Sequence, residues 1–539
     1  MALSDNPLAC RLEAATCSYP IQRAACTALN GLLDIDVADP RWGANNLNNR
    51  WASLNTDINS ASIPSLTEHC HVTYAQGGVS ATPVISGNIV YYPTWNGLFV
   101  ALDYTTCKVV WQTNVTAVIS QYMTNDTVST RICANSSRTS PQLDGDVLYY
   151  GTQRGALLVA ADVKTGATRG VVKIHQHPAA IITQSPTLYN GTLYVGAASQ
   201  EEIATQYIPS YECCSFIGNI AAYKFDHSTN KFTAVWNTNT LPLDEGWSGS
   251  AIWGSQPSID PGRKQLYVAT GNIYEFPAGF EKCENSTADC LPKDVYQDAI
   301  LALDMEKGTI KWSNGFSPLD AWTSACKPPK STTLCPQDPG PDADFGMAPV
   351  FIPGSLGDGT TGVDSVVAGQ KSGIIYSLKA DTGVLQWSVA TSPDGDQGGI
   401  SWGVAADNTS IYFTSINYGA EPWHLVPSGV ALNNSAWGAM TIKTGQITWE
   451  TQTPYNDFSY TPPTIVNDVV LVGAAGGKIG GRGKLIALAK GTGVSLLEIP
   501  VDSVLRGGIA VQDKYVMFGT GYSYGNPLNN GSFYVMSIK

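Results

Sequence analysis

The chain has 539 residues, with 53 Gly, 31 Pro, 10% aromatic and only 14% charged side chains, and its 31 basic against 44 acidic groups leave a net charge of −13. Such a composition excludes helix bundles and coiled coils, which need long Glu/Lys/Ala-rich runs. The acidic balance, with no basic run, excludes nucleic acid and anionic membranes as partners. No stretch reaches the roughly 18 uninterrupted apolar residues of a membrane span.

Met1-Ala2-Leu3-Ser4 lacks the apolar core of a signal peptide, so the chain reads as a soluble mature protein. Residues 5 to about 34 carry Cys10, Cys17 and Cys26 among Ala and Leu, which predicts a small disulfide-tied helical cap over residues 1–38. The segment from Trp42 to Leu66 is expected to lead into an N-terminal strand.

From there a repeat runs to the C-terminus. A short apolar segment ending in a turn and, in most copies, a Trp recurs as Val100 to Trp111, Val159 to Gly166, Ala221 to Trp236, Leu301 to Trp312 and Tyr376 to Trp387. Weaker copies are Ala439 to Trp449 and Leu485 to Gly493, and Phe533 to Lys539 is a truncated last one, making eight units. Ahead of most copies stands Ser/Thr-Pro-x-x-x-x-Gly-x-x-x-Tyr, as in Thr82 to Tyr91 and Ser140 to Tyr149. Alternating apolar residues bounded by Gly-containing turns have the period of strands. Units spaced roughly 45 to 80 residues apart match four-stranded blades with loop insertions. The expected fold is therefore all-β, an eight-bladed propeller over residues 39–539. Its last blade is completed by the N-terminal strand, and the motif Trp side chains dock between blades. Inserts at 275–300, 316–348 and 415–436 are expected to crowd one rim of the axial channel, where propellers carry function.

The twelve Cys sit mostly in loop-like contexts without a C-x-x-C pair, which argues against zinc or attached haem. With sequons at Asn114, Asn125, Asn135, Asn190, Asn285, Asn408, Asn433 and Asn530, they point to a secreted or endomembrane glycoprotein in an oxidising compartment. His175 and His177 share a strand face but have no third ligand nearby, so a metal there is not expected.

Several segments, in order, resemble the pyrroloquinoline quinone (PQQ) dependent dehydrogenases, and within them the polyvinyl-alcohol-dehydrogenase-like branch without a haem domain. The likeness covers about residues 40 to 539. It is carried by Trp42 to Arg50, Ile182 to Pro186, Tyr194 to Glu202, Tyr211 to Gly218, Ser248 to Gly254, Leu266 to Asn272, Gly340 to Gly346, Gly369 to Gly373 and Gly398 to Trp402. The resemblance implies PQQ and Ca²⁺ in the axial channel. It implies Trp253 as one wall of the cofactor site and a vicinal disulfide, Cys213–Cys214, as the other. Glu201 and Asn272 match the family's Ca²⁺ ligands, with Glu202 the neighbouring alternative to Glu201 and Asp342 counted in the same set. Hard oxygens of this kind suit Ca²⁺. Asp342 aligns best with the catalytic base and Asp344 second, while Lys371 takes the place of the cation that donates to the quinone oxygens. Arg138, Thr183 and Trp402 are further cofactor contacts.

The sequence departs from the pattern at three positions. Ile217 stands where this branch has Arg, Ser401 where relatives have an amide, and Thr323 where an acid is expected. The function implied is oxidation of an alcohol by hydride transfer to PQQ, with electrons leaving to a separate acceptor. Two other readings use the same scaffold: a cofactor-free enzyme isomerising or cyclising a small metabolite, and a binding propeller without catalysis.

Overall fold

The computed structural model describes residues 43–539 apart from 124–126, 209, 284–289, 329–332, 355–361, 479–480 and 523–529. The expected cap over residues 1–38 lies outside the described residues. Eight antiparallel sheets follow one another around the ring, each built on four strands, the first seven in chain order and the eighth completed by a strand from the N-terminal side of the chain. The first runs Val84–Ser86, Ile89–Pro93, Leu98–Asp103, Lys108–Asn114, and the fifth Val350–Ile352, Ser365–Gly369, Ile374–Lys379, Leu385–Ala390. In each blade the third strand is the repeated segment of the sequence. It is buried nearly throughout, as in Leu98–Asp103, while the fourth strand alternates exposed and half-buried residues, as in Lys108–Asn114. The core therefore lies between neighbouring sheets.

The repeated Trp and the repeated Gly explain each other. Trp111, Trp236, Trp312, Trp387 and Trp449 donate their indole N–H to a carbonyl of the next blade, at Val163, Met305, Ala380, Ile442 and Lys490, over 2.9–3.0 Å. Each ring covers the turn glycine of that blade, Gly166, Gly308, Gly383, Gly445 or Gly493. All five glycines have positive φ, and a Cβ on any of them would run into the tryptophan ring. Between the second and third blades the pair is inverted. Gly170 occupies the Trp register, and Phe225 of the next blade fills the slot.

The ring closes with the N-terminal strand Thr67–Tyr74, which pairs antiparallel with Gly531–Ser537 as the outer strand of the eighth blade. Cys70 on that strand is bonded to Cys107 in the first blade's turn. Before this strand the chain crosses the axis. Carbonyls of Asn46, Leu47, Asn49 and Arg50 accept backbone N–H groups of Ile259, Phe351, Ala406 and Ile465, at the inner strands of blades four to seven. Asn48 Nδ2 bonds Ala348 O at 3.0 Å, and buried Arg50 bonds Pro463 O at 2.8 Å. This crossing shuts one end of the axial channel.

At the other end lie the inserts. The 316–348 insert is tied by Cys326–Cys335 and the 275–300 insert by Cys283–Cys290. The 415–436 insert forms a side hairpin, Trp423–His424 with Ala431–Leu432, and contributes nothing to the cavity wall. Among the described residues no helix is long and apolar enough to cross a membrane.

Candidate functional site

The open end of the channel is a cavity of about 700 Å³, within the range that encloses cofactors and small ligands. Of the residues singled out in the sequence, Arg138, Thr183, Trp253, Asn272, Asp342, Asp344, Lys371, Ser401 and Trp402 line it.

The acid turn is held from below. Asp320 accepts the backbone N–H of Asp342 at 3.1 Å and of Ala343 at 2.6 Å, and so fixes Asp342 at φ 61°, a left-handed conformation that a non-Gly residue rarely keeps unaided. Lys371 Nζ bridges the turn, 2.8 Å from Asp342 Oδ1 and 2.9 Å from Asp344 Oδ2. Asp344 Oδ1 takes the backbone N–H of Asn272 at 2.6 Å. Asn272 commits its amide N–H groups to Ile273 O and Trp322 O, which leaves Oδ1 as an acceptor for the cavity.

Burial pushes the Asp342 carboxyl well above the usual carboxylate range, with Asp344 and Glu202 adding to it against the pull of Lys371. Burial works against the charge on Lys371, but Asp342, Asp344 and Glu202 outweigh it and hold its pKa well above that of a free lysine.

Trp253 is fixed on several sides. Its carbonyl accepts Thr183 Oγ1 at 2.8 Å, and its ring stands edge-on to Trp402 at 5.6 Å, with Lys371 Nζ 5.5 Å from the ring centroid. A Cβ at Gly346 would strike the ring, so the turn that carries the two acids also makes room for the wall.

The carboxylate in the cavity is Glu202 and not Glu201. Glu201, the first residue of the helix Glu201–Tyr207, is fully buried and absent from the cavity wall. It accepts Tyr211 OH, Ser215 N and Phe216 N at 2.8–2.9 Å, with His177 Nε2 at 3.3 Å. Burial raises its pKa, but His177 and the two backbone N–H groups lower it further, so Glu201 stays charged. Successive residues on a helix point about 100° apart, so only one of the pair can face the cavity. Glu202 does, and its carboxylate has a single long hydrogen bond among the described residues, from Ser324 Oγ at 3.4 Å. Burial pushes it up to about 7, Lys371 and Lys327 pulling down and Asp344 pushing up.

The Cys213–Cys214 bridge is present, but neither residue lines the cavity. Instead, Cys214 N donates to Glu275 at 2.8 Å, and its side chain packs against the cluster containing Phe216 and Tyr274.

The departures from the family pattern have packing reasons. Ile217 lies against the apolar cluster of Leu241, Trp247 and Leu319. Thr323 is buried and donates to Leu334 O at 2.9 Å. Ser401 donates to Gln397 O at 2.8 Å. His175 and His177 turn to different partners, Ile217 O and Ser215 Oγ.

Sequence reasoning missed Lys327, ion-paired with Asp396 at 2.7 Å, and the aromatic liner Trp322. Only the position of Lys327 beside Cys326 hinted that it is tied down. The support from Asp320 has no sequence signal at all.

Glu202, Asp342, Asp344 and Asn272 place hard oxygens on one wall, as an oxophilic divalent cation requires. Among the described residues no three His, Cys, Asp or Glu side chains already form a cation cage. The donor set and the Trp253 wall fit a planar quinone with its cation on that wall.

The chain matches the family model "PQQ: Glucose/ethanol/alcohol dehydrogenase, beta-propeller domain" over residues 40–330, more than half its length. It is 27% identical over 411 residues to a polyvinylalcohol dehydrogenase of a Pseudomonas species, covering 73% of this chain and 58% of that protein. It is 26% identical over 453 residues to one of Sphingopyxis sp. strain 113P3, covering 80% and 61%. The chain thus spans about three fifths of these relatives. Its backbone superposes on a quinohemoprotein alcohol dehydrogenase of Pseudomonas putida HK5 with a TM-score of 0.68 at 16% identity, covering 92% of this chain and 80% of that one. With a europium-containing methanol dehydrogenase the score is 0.64 at 16% identity, over 92% and 98%. With the fold, the order of its motifs and the family match in agreement, the chain belongs to the PQQ-dependent alcohol dehydrogenase propeller family.

Proposed function

We propose that this chain is the catalytic propeller of a quinoprotein that oxidises an alcohol, with PQQ against Trp253 and a divalent cation, Ca²⁺ in the first instance, held by Glu202, Asn272 and Asp342. The observation that carries the reading is the convergence of those oxygens, with Lys371, on one Trp-walled cavity at the open end of the channel. When bound with its cation, PQQ supplies an electrophilic carbon that accepts hydride.

The chain's own residues supply the rest. Asp344 has both oxygens engaged, by Asn272 N and Lys371 Nζ. Asp342 is bonded to Lys371 through Oδ1 only, which leaves Oδ2 to take the alcohol proton as hydride departs. Lys371 holds the acid turn in place and presents its remaining N–H to a ligand oxygen. The alcohol loses a proton and a hydride and becomes a carbonyl compound, and the two electrons leave through a separate acceptor. Three structural disulfides beside the vicinal one fit an oxidising, extracytoplasmic location. The named relatives make polyvinyl alcohol, alongside small alcohols, the first substrate to try.

The test is to titrate purified protein with PQQ and Ca²⁺ and to follow bound-quinone absorption and alcohol-dependent dye reduction. A saturable band with dye reduction is expected. Absence of both overturns the proposal.

A further inference from the structure

Beneath the acid turn, off the cavity wall, lies a carboxyl that the proposed chemistry does not use. Asp298 is fully buried, and neither of its oxygens accepts a hydrogen bond among the described residues. Its backbone is fixed: Asp298 N donates to Gly271 O at 3.1 Å, and the residue sits at φ 42°, a left-handed conformation that Asp tolerates better than most residues. Beside it, Gln297 draws in the 318–320 segment. Its Nε2 donates to Pro318 O at 2.5 Å, and its Oε1 accepts Asp320 N at 3.0 Å. From the other side Ile273 N donates to Asp320 O at 2.9 Å. These bonds leave the carboxyl of Asp298 facing that of Asp320 at hydrogen-bonding range.

The four oxygens of this pair are used unequally. Asp320 spends both of its own on the acid turn, at Asp342 N and Ala343 N. Asp298 has no N–H to accept. Two ionised carboxylates in contact repel each other, and burial denies them the solvation that would relieve it. Burial pushes the Asp298 carboxyl well above the usual range, and the negative charges of Asp320 and Asp344 push it the same way, while the Ser317 hydroxyl, near but not bonded, pulls down. One proton removes the conflict. On Asp298 it makes an O–H that donates to an ionised Asp320, a charge-assisted bond of the strong kind. On Asp320 it would turn an acceptor of the acid turn into a donor.

We propose that the pair holds a single proton, carried by Asp298, and that Asp298 is a positioning residue for the acid turn. Its O–H orients Asp320, and Asp320 orients Asp342 and Ala343. Asp298 touches neither substrate nor cofactor, and it reaches the cation donors only through that turn. The proton follows from the packing of the pair alone. Its consequence for the cation rests on the function proposed above.

The full chain is compared with Asp298→Asn, which keeps a donor without an acid proton, and with Asp298→Leu, which keeps the bulk without a donor. Infrared spectra near neutral pH are expected to show the carbonyl band of a protonated, buried carboxyl, shifted in heavy water and lost in Asp298→Asn. Terbium luminescence from the cavity reads cation affinity without turnover. The affinity is expected to stay within about twofold in Asp298→Asn and to fall about tenfold in Asp298→Leu. A band that is absent from the parent, or that survives in Asp298→Asn, overturns the shared proton. Equal affinities in the two variants overturn the positioning role, and so does a loss in Asp298→Asn alone. Should Asp298→Leu fold poorly, the band and the retained affinity of Asp298→Asn still decide. A parent that shows the band but binds no terbium refutes the reading of the cavity and leaves the proton standing.

Discussion

Cys70 and Cys107 are bonded at the one seam of the ring that is sewn from both ends of the chain. They stand where five of the other junctions hold tryptophan and glycine. Cys70 pairs with Val535 immediately after the strand's bulge, as Trp111 pairs with Ala101 after its own. Cys107 has the positive φ, 60°, of the turn glycines such as Gly166 at 71°. At the seam, a covalent bond replaces the indole that docks on the next blade elsewhere.

Removing this bond is expected to loosen closure more than any other disulfide among the described residues. The loop it closes spans 37 residues, for which chain entropy gives roughly 2–4 kcal/mol. A Cys70→Ala/Cys107→Ala variant should melt at a lower midpoint, with the N-terminal strand exchanging its amide hydrogens first. Equal midpoints and equal exchange for the two proteins would show that the Thr67–Tyr74 ladder closes the ring unaided.

The docking of Trp312 on Gly383 separates two penalties. Gly383→Ala places a methyl group in the Trp312 ring and forces an alanine to φ 70°, whereas Gly191→Ala meets nothing within 4 Å at φ 68°. The second substitution should cost about 1–2 kcal/mol, the left-handed penalty alone. Gly383→Ala should cost clearly more, read as a difference in denaturation midpoint. Equal losses would mean that the ring moves aside freely.

That Trp–Gly pairing is why the fold was legible. A large residue at one end of the repeat and a residue without Cβ at the other recur together because one covers the other across a blade junction. The inverted pair Gly170 and Phe225 and the cystine seam break the pattern: the copy from Val159 to Gly166 is followed by no Trp, and the copy from Phe533 to Lys539 is truncated because the N-terminal strand supplies the outer strand of its blade. In the site, Trp253, Asn272, Asp342, Asp344 and Lys371 come together as the family likeness implied. Which of two adjacent glutamates turns inward depends on the start of the helix Glu201–Tyr207, where one residue of phase decides. The place of the vicinal cystine depends on how the loop from Tyr211 to Phe216 hangs on Glu201, and no spacing encodes that.

Glu450 gives a pH dependence away from the site. Its Oε2 accepts Val426 N at 2.6 Å, while buried Oε1 has no partner among the described residues. Burial, offset in part by that one bond, pushes its pKa up to about 7. A carboxyl raised above its unfolded value near 4.3 binds its proton more tightly when folded. Its contribution is therefore complete below about pH 4 and is lost as pH rises through about 7. Glu450→Gln should equal or trail the parent at pH 4.5 and exceed it at pH 8 by roughly 1–3 kcal/mol. Parallel stability curves for the two proteins would show that Glu450 is charged in the folded state.

Glu201 and Glu202 are adjacent in sequence and opposite in expected phenotype. Glu202 faces Asp344 and Lys371 with one long hydrogen bond to its name, whereas Glu201 is saturated by Tyr211, Ser215, Phe216 and His177. Glu202→Gln removes a cation donor and leaves the loop after the helix untouched. Its expected effect is a loss of cation affinity of at least about tenfold with little change in melting midpoint. Glu201→Gln should do the reverse, lowering stability by roughly 1–3 kcal/mol through the orphaned N–H groups of Ser215 and Phe216 while cation affinity holds. Terbium luminescence sensitised by the cavity's Trp322 and Tyr274 reads the affinity in both variants without any turnover. A reversed order would mean that the helix start rotates on cation binding and that Glu201, as first expected from the sequence, is the ligand.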